Sequence, residues 1–247
     1  MSCRDSRRLP LVGVTALLAL SLASAGARAQ EKIEPPDPGV PEIFTIQGQY
    51  VRVAYNAEGF VTLGYRLANL SVGEEWMRLE VGMTILQLAG AKNYVLKRDA
   101  ISLSTPDGKT IPLATNPEFR QADLRALERR AEVVRDPINY FPPGASRACP
   151  LRFFAALDEA NAIAFDQVEL SWQRGCVGRL FFKVPGGIQY GQHWLNVQFA
   201  NSVVRAPFRI LTEDEAKEFS KSWKDIKAEL DDWTEDELKK LQGTKKD

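Results

Sequence analysis

The sequence has few of the residues that build metal centres: its 247 residues include one histidine and three cysteines. It also has no excess of charge of either sign, since 32 basic residues balance 32 acidic ones. Zinc sites of the usual kind need three or four His or Cys ligands, and nucleic-acid binders concentrate positive charge. The composition therefore predicts no metal site, no cofactor and no nucleic-acid partner. A hydrophobic share of 45% instead allows one globular domain, or one domain with an appendage.

The N-terminus has the pattern of an export signal. Arg4, Arg7 and Arg8 precede an apolar run at 11–22, and Ala27-Arg28-Ala29 follows as a cleavage motif. The run is shorter than the roughly 20 residues that cross a bilayer. Residues 1–29 are therefore predicted to be a removable signal peptide, which leaves no membrane span and a periplasmic or secreted mature protein. An uncleaved anchor is the alternative.

Export changes the expected state of the cysteines. Cys3 is lost with the signal, which leaves Cys149 and Cys176, 27 positions apart. In an oxidising compartment two cysteines most simply form one disulfide, and closing a loop of this length stabilises the fold by roughly 3 kcal/mol. Two buried thiols or a redox pair are the alternatives, although the spacing is unlike C-x-x-C.

Residues 43–211 follow a proline-rich tether at 30–42 and have the periodicity of strands. The side chains between Phe60 and Leu70 alternate between apolar and polar, which is typical of an antiparallel sheet with one buried face. Asn56 to Gly59 predicts a hairpin connection. A change of parity near Gly82 predicts a bulge or a bend. Nine or ten short strands of this kind predict a β-sandwich.

One segment, near 116–134, has helical spacing instead. Asn116 is the expected cap and Pro117 suits the first turn. The apolar positions are Leu124, Leu127, Ala131 and Val134, and the basic ones are Arg120, Arg125, Arg129 and Arg130. The arginines form either an anion-binding face or an ordinary solvated helix face, and we favour the solvated face.

Two parts of the sequence resemble a known family. Gly178 to Gly187 (GRLFFKVPGG) with Trp194 to Phe199 (WLNVQF) looks like the closing hairpin of the telokin-like immunoglobulin-type domains of secreted bacterial proteins. Thr62 to Asn69 and the run ISLSTPDGK from Ile101 are similar to their opening strands. The resemblance covers residues 43–211 and implies a mainly β fold, an immunoglobulin-like antiparallel β-sandwich. The helical spacing near 116–134 and after residue 211 adds one inserted helix and a C-terminal amphipathic helical tail. It implies no catalytic residues.

Residues 212–247 are predicted to be that helical tail. Thr212 to Glu215 has the form of a capping box. An apolar seam at steps of three and four residues follows. Its members are Ala216, Phe219, Trp223, Ile226, Leu230 and Trp233. The seam either docks on its own domain or binds a partner or a second copy, and two tryptophans would make a large contact surface.

The sequence has few candidate catalytic groups. His193, at a strand start, is predicted to point inward, and no nucleophile motif accompanies it. Asp166 and Glu169 are a possible glycosidase pair, but in a strand they would point to opposite faces. We therefore favour an exported, non-catalytic interaction or structural module of the bacterial cell envelope. The alternative is an exported carbohydrate-active or hydrolytic protein that uses carboxylates and exposed aromatics such as Trp172 and Trp194.

Overall fold

A computed structural model describes residues 43–46, 48–86, 93–157 and 162–223. The predicted signal peptide (1–29) and tether (30–42) lie outside these residues, as do Ile226, Leu230 and Trp233 of the tail. Within the described ranges no helix has the length and apolarity needed to cross a membrane.

The described chain is mainly β, as the periodicity predicts. The strands, in chain order, are β1 (Ile43–Ile46), β2 (Val51–Tyr55), β3 (Gly59–Gly64), β4 (Trp76–Ile85), β5 (Tyr94–Lys97), β6 (Ile101–Ser104), β7 (Thr110–Pro112), β8 (Arg147–Leu151), β9 (Gln167–Leu170), β10 (Arg174–Lys183), β11 (Gly191–Gln198) and β12 (Val203–Ile210). The helices are α1 (Arg66–Asn69), α2 (Asn116–Gln121), α3 (Arg125–Val133) and α4, of which residues 213–223 are described.

The strands form three sheets. A six-stranded sheet has the order β1-β2-β3-β4-β10-β8, a four-stranded sheet has the order β12-β11-β6-β7, and β5 pairs with β9. All pairs in the described residues are antiparallel except β8 with β10. A parallel pair needs a long crossover, and here the chain passes through β9 between the two strands.

The two larger sheets contribute to one core. Leu79 and Val81 of β4 and Leu180 of β10 are fully buried, and they belong to the same cluster as Leu195 and Phe208 of the smaller sheet. Alternation along each strand sends these side chains inward. His193, in β11, is buried too and stacks on Phe208, so the prediction that it points inward is confirmed.

The outward face of the six-stranded sheet is also covered, which explains the change of parity near Gly82. The predicted bulge there is wrong, because β4 pairs in unbroken register with β3 and β10 through Gly82. The segment after α3 crosses this face instead: a Cβ at Gly82 would lie 2.7 Å from Cζ of Phe141. The Thr62 hydroxyl donates a hydrogen bond of 2.7 Å to the carbonyl of Tyr140 in the same segment. Both faces of β4 therefore carry buried side chains.

Three local predictions are corrected. The alternation from Phe60 does not continue to Leu70, because the strand ends at Gly64 and α1 follows. The insertion at 116–134 is two helices rather than one, with an extended residue, Ala122, closing the first. Thr115, not Asn116, caps α2, because its hydroxyl accepts the amide of Glu118 while that carboxylate accepts the Thr115 amide.

The edge of the six-stranded sheet is β8, at Arg147–Leu151. Pro150 obscures the strand pattern there, and an edge strand tolerates this residue because one side of β8 has no ladder partner in the described sheet.

Candidate functional site

A cleft of about 740 Å³ lies between α3, the segment that follows it and the outward face of β4 and β10. We call it the arginine cleft. Its charged lining residues are Arg78, Glu80, Arg125, Glu128, Arg129, Glu132, Arg135, Asp136 and Arg179. Among the described residues it therefore brings together side chains from two strands, one helix and a loop that are far apart in the sequence.

The floor of the cleft is a network of ion pairs. Nε of Arg78 lies 3.1 Å from Oε1 of Glu128, and a guanidinium nitrogen of Arg179 donates to Oε2 of the same carboxylate at 2.6 Å. Arg78 also donates to Glu80 at 3.2 Å. The side chain of Arg78 is only 7% exposed and that of Glu128 17%. The Arg78–Glu128 contact is an ion pair without the alignment of a hydrogen bond. These four charges neutralise one another inside the cleft.

Unlike the floor, whose charges are balanced, the rim of the cleft carries exposed arginines. Arg125 and Arg129 are exposed and one turn apart on α3, and Arg135 is exposed just beyond the end of this helix. In the part of the chain that the structure describes, none of the three forms an ion pair. The helix was interpreted as having an ordinary solvated face. This is wrong for Glu128 and Arg130, which dock the helix through ion pairs to Arg78 and Glu74. It holds for Arg120, Arg125 and Arg129, which are exposed.

Asp136 lies beside the floor. The pKa of its carboxyl is raised to about 6, chiefly by burial and to a lesser extent by the nearby Glu80 carboxylate, while the Arg66 amide, which donates to Oδ2 at 2.8 Å, opposes the shift. An acid with a raised folded-state pKa destabilises the fold once it ionises. This cost is absent below the unfolded pKa near 4 and is fully present above about pH 6.

We therefore expect Asp136→Asn to stabilise the protein at neutral pH. The amide oxygen can still accept the Arg66 hydrogen bond, but the desolvated charge is gone, so the free energy of unfolding at pH 7 should rise by about 1–2 kcal/mol. The difference from the wild type should disappear at pH 4. Urea denaturation at both pH values measures it. The account would be contradicted by a variant that is less stable than the wild type at pH 7. A difference in the free energy of unfolding that is the same at both pH values would contradict it too.

A second depression lies on the opposite flank of α3, with a volume of about 790 Å³. We call it the apolar groove, and its apolar lining includes Leu70, Trp76, Leu124, Leu127 and Val133. Arg130 and Glu74 form a bidentate ion pair in its wall, at 2.6 and 2.5 Å.

The root of the tail helix α4 is held on the body of the domain. Glu215 accepts the Thr212 amide at 3.0 Å and donates its own amide to the Thr212 hydroxyl at 3.3 Å, so the predicted capping box is confirmed. Glu215 also pairs with Arg209 of β12, and the Asn69 side chain accepts the amide of Leu211. These hydrogen bonds from the Thr212 amide and Arg209 lower the pKa of Glu215.

The seam residues that the structure describes lie on one side of this helix. Ala216, Phe219 and Trp223 are half-buried, whereas Lys217, Glu218 and Lys221 are exposed. Among the described residues, neither Phe219 nor Trp223 belongs to the core or to the side chains packed against it.

The two cysteines are joined, as predicted. Cys149 of β8 and Cys176 of β10 face each other in the parallel pair, their Cα atoms are 4.4 Å apart, and they form a disulfide. A bond of this kind indicates a compartment outside the reducing cytoplasm. It fastens an edge strand to its only ladder partner in the described sheet.

The carboxylates proposed from the sequence are both exposed, and each has its own partner. Asp166 pairs with Arg98 and is 82% exposed on its side chain, and Glu169 binds Asn93. Neither of them lines the arginine cleft or the apolar groove, as far as the described residues define these. Trp172 packs against the core, and Trp194 lies under the Arg205 guanidinium, 4.7 Å from the ring centre.

Sequence reasoning missed Arg78, Glu80, Asp136 and Arg179, which form the charged centre of the cleft. One signal was present: Arg78 and Glu80 alternate with fully apolar positions in β4, so a second charged face was visible in the sequence. Nothing in the sequence indicated that a helix and a loop would bury this face.

No family model, curated protein or solved structure matches the chain.

Proposed function

We propose that the protein is an exported, non-catalytic interaction module of the bacterial cell envelope, either periplasmic or secreted. The domain is an immunoglobulin-like β-sandwich of the telokin-like kind, and its C-terminal helix is the partner surface. Phe219 and Trp223 begin this surface, and Ile226, Leu230 and Trp233 continue the same seam in the sequence.

One observation carries the proposal: α4 is fixed at its root while its aromatic side chains remain half-exposed. The capping box, the Arg209–Glu215 ion pair and the Asn69–Leu211 hydrogen bond set the direction in which the helix leaves the domain. A helix held in this way presents Phe219 and Trp223 in a defined geometry, which lowers the entropy that binding costs.

The charge of the helix indicates the chemistry of its partner. Glu213, Asp214 and Glu218 are exposed around the aromatic seam and outnumber the exposed Lys217 and Lys221. A complementary protein partner therefore has an apolar groove for the aromatic side chains and basic residues along its rim. Large aromatic side chains dominate the binding energy of such interfaces.

Crosslinking with mass spectrometry on the native envelope tests this function. Full-length wild-type protein is compared with Phe219→Ala/Trp223→Ala and with a matched control on the exposed side, Glu218→Ala/Lys221→Ala, which keeps the net charge. We expect crosslinks from the tail to one partner protein in the wild type and in the control, and their loss in the aromatic variant.

Two outcomes would contradict the proposal. Crosslinks that persist in the aromatic variant would show that the seam residues do not form the interface. Crosslinks from the tail only to this chain's own apolar groove, together with a lower melting temperature of the aromatic variant, would mean that the helix completes its own domain.

A second function has one observation in its favour. The Asp136 carboxyl, with its pKa raised by burial to about 6, lines the arginine cleft beside Glu80, and an acid that holds its proton near neutral pH suits general acid catalysis. The alternative is therefore an exported hydrolase or carbohydrate-active protein that uses this pair. Turnover of a glycan or ester substrate that Asp136→Asn abolishes would support this function. No turnover across a broad panel of such substrates would rule it out.

A further inference from the structure

We propose that the arginine cleft binds a small organic acid that carries two or more oxyanion groups, carboxylates or phosphates. The site is separate from the tail helix, so it does not depend on the partner role proposed above. Three steps carry the proposal: the charge balance of the cleft, the arrangement of its arginines, and its size and apolar wall.

The charge balance favours an anion. On the floor, Arg78 and Arg179 are matched by Glu80 and Glu128. The remaining charged lining residues are the exposed Arg125, Arg129, Arg135 and Glu132, and the half-buried Asp136. Three guanidinium groups thus face two carboxyl groups, and the surplus is positive. Because the pairs beneath are mutually satisfied, the rim arginines are the groups left to bind a ligand.

The arrangement of the arginines favours more than one oxyanion group. Arg125 and Arg129 are four residues apart on α3, which places their Cβ atoms about 6 Å from each other on one helix face. Arg135 follows the last turn of this helix and lines the same cleft. Each guanidinium presents a planar fork that matches a carboxylate or phosphate in bidentate fashion. Neighbouring forks therefore suit a molecule with two or three acidic groups better than a single anion.

The cavity fits an organic molecule rather than a bare ion. Its volume of about 740 Å³ lies within the range of about 300–1,000 Å³ that is usual for small-molecule sites. Pro137, Ile138 and Leu157 line part of it, and an apolar wall of this kind can cover the carbon skeleton of the ligand. The floor is rigid, because Arg78 is buried and its ion pairs fix α3 against β4.

Isothermal titration calorimetry on the mature chain tests the proposal with three probes. Citrate carries three carboxylates on a carbon skeleton, pyrophosphate carries linked phosphates without one, and acetate is a single carboxylate. We expect citrate or pyrophosphate to bind at least about tenfold more tightly than acetate, and added salt to weaken the binding. The ratio of citrate to pyrophosphate affinity tells whether the ligand is a carboxylic acid or a phosphate compound.

The variants assign the binding to the cleft. Arg125→Ala/Arg129→Ala should weaken binding by about tenfold for each arginine, because each loses a charge-assisted hydrogen bond. Arg120→Ala removes one positive charge, half of what the double variant removes, from an exposed site on α2 outside the cleft and should change the affinity less than twofold. Arg125→Lys/Arg129→Lys keeps the charge but loses the planar guanidinium groups. Its binding affinity should lie between that of the wild type and that of the alanine variant.

Several results would overturn the proposal: no binding of citrate or pyrophosphate to the wild type, affinity equal to that of acetate, or an equal loss in Arg120→Ala. The rim side chains are exposed, so we expect the variants to fold. A melting temperature close to that of the wild type confirms that a lost affinity belongs to the site.

Discussion

Cys149→Ala/Cys176→Ala is expected to lower the free energy of unfolding by about 3 kcal/mol. The disulfide closes a loop of 27 positions, and the entropy that it removes from the unfolded chain accounts for a loss of this size. Alanine is the right replacement because Cys176 is fully buried, so a serine would add the cost of burying a hydroxyl group. Guanidinium denaturation of the oxidised wild type and of the variant measures the difference.

The reduced wild type is the control for this experiment, and it should match the variant. The loss of stability should be greatest in β8, because this strand lies at the edge of its sheet and pairs only with β10 in the described residues. We expect hydrogen exchange at residues 147–151 to accelerate more than exchange in β4, at the centre of the sheet. A loss below about 1 kcal/mol, or an even acceleration across the sheet, would mean that the strand pairing holds β8 without the covalent bond.

The parts of the fold that follow from local rules could be predicted from the sequence. Alternation along β11 puts His193, Leu195 and Val197 on one buried face, and it placed His193 inside correctly. The capping box at Thr212 is a spacing of three residues, and the structure has it. The disulfide followed from the export pattern and from the count of cysteines, without knowledge of the fold. The immunoglobulin-like class stays a prediction.

The parts that depend on distant segments could not be predicted. Both faces of β4 are buried because the segment around Phe141 crosses one of them. The alternation of residues along a strand carries no information about a distant segment that packs on it. β8 pairs in parallel with β10, and its one proline, Pro150, obscures the strand pattern. The arginine cleft joins Arg78, Glu128 and Arg179, which are about 50 residues apart in sequence at each step. Only tertiary packing brings such charges together.

The floor of the cleft gives the second prediction with a large effect: Glu128→Ala should cost about 3 kcal/mol in the free energy of unfolding. Its carboxylate faces two guanidinium groups, at 3.1 Å from Arg78 and 2.6 Å from Arg179. Removing one partner of a buried ion pair leaves a charge in a poorly solvated place, which is the expensive part of the change. Arg78, only 7% exposed, would keep Glu80 as its one remaining carboxylate in the described network.

Glu132→Ala is the matched control, since this residue lies one turn further along α3, is exposed and forms no ion pair within the described chain. It should change the stability by less than about 0.5 kcal/mol. Urea denaturation at neutral pH measures both variants. Equal losses in the two would mean that a glutamate is needed for the helix rather than for the network.

The double variant Arg78→Met/Glu128→Leu separates the cost of an orphaned charge from the cost of lost packing. It removes both charges and keeps much of the side-chain volume, and apolar replacements of buried ion pairs are often neutral or even stabilising. We therefore expect it to recover most of the stability that Glu128→Ala loses. Arg179, about one third exposed, remains solvated, and Glu80 still accepts the Asp136 amide. If the double variant is as unstable as Glu128→Ala, the network stabilises the fold through its contacts, and the charge of Arg78 is not the reason.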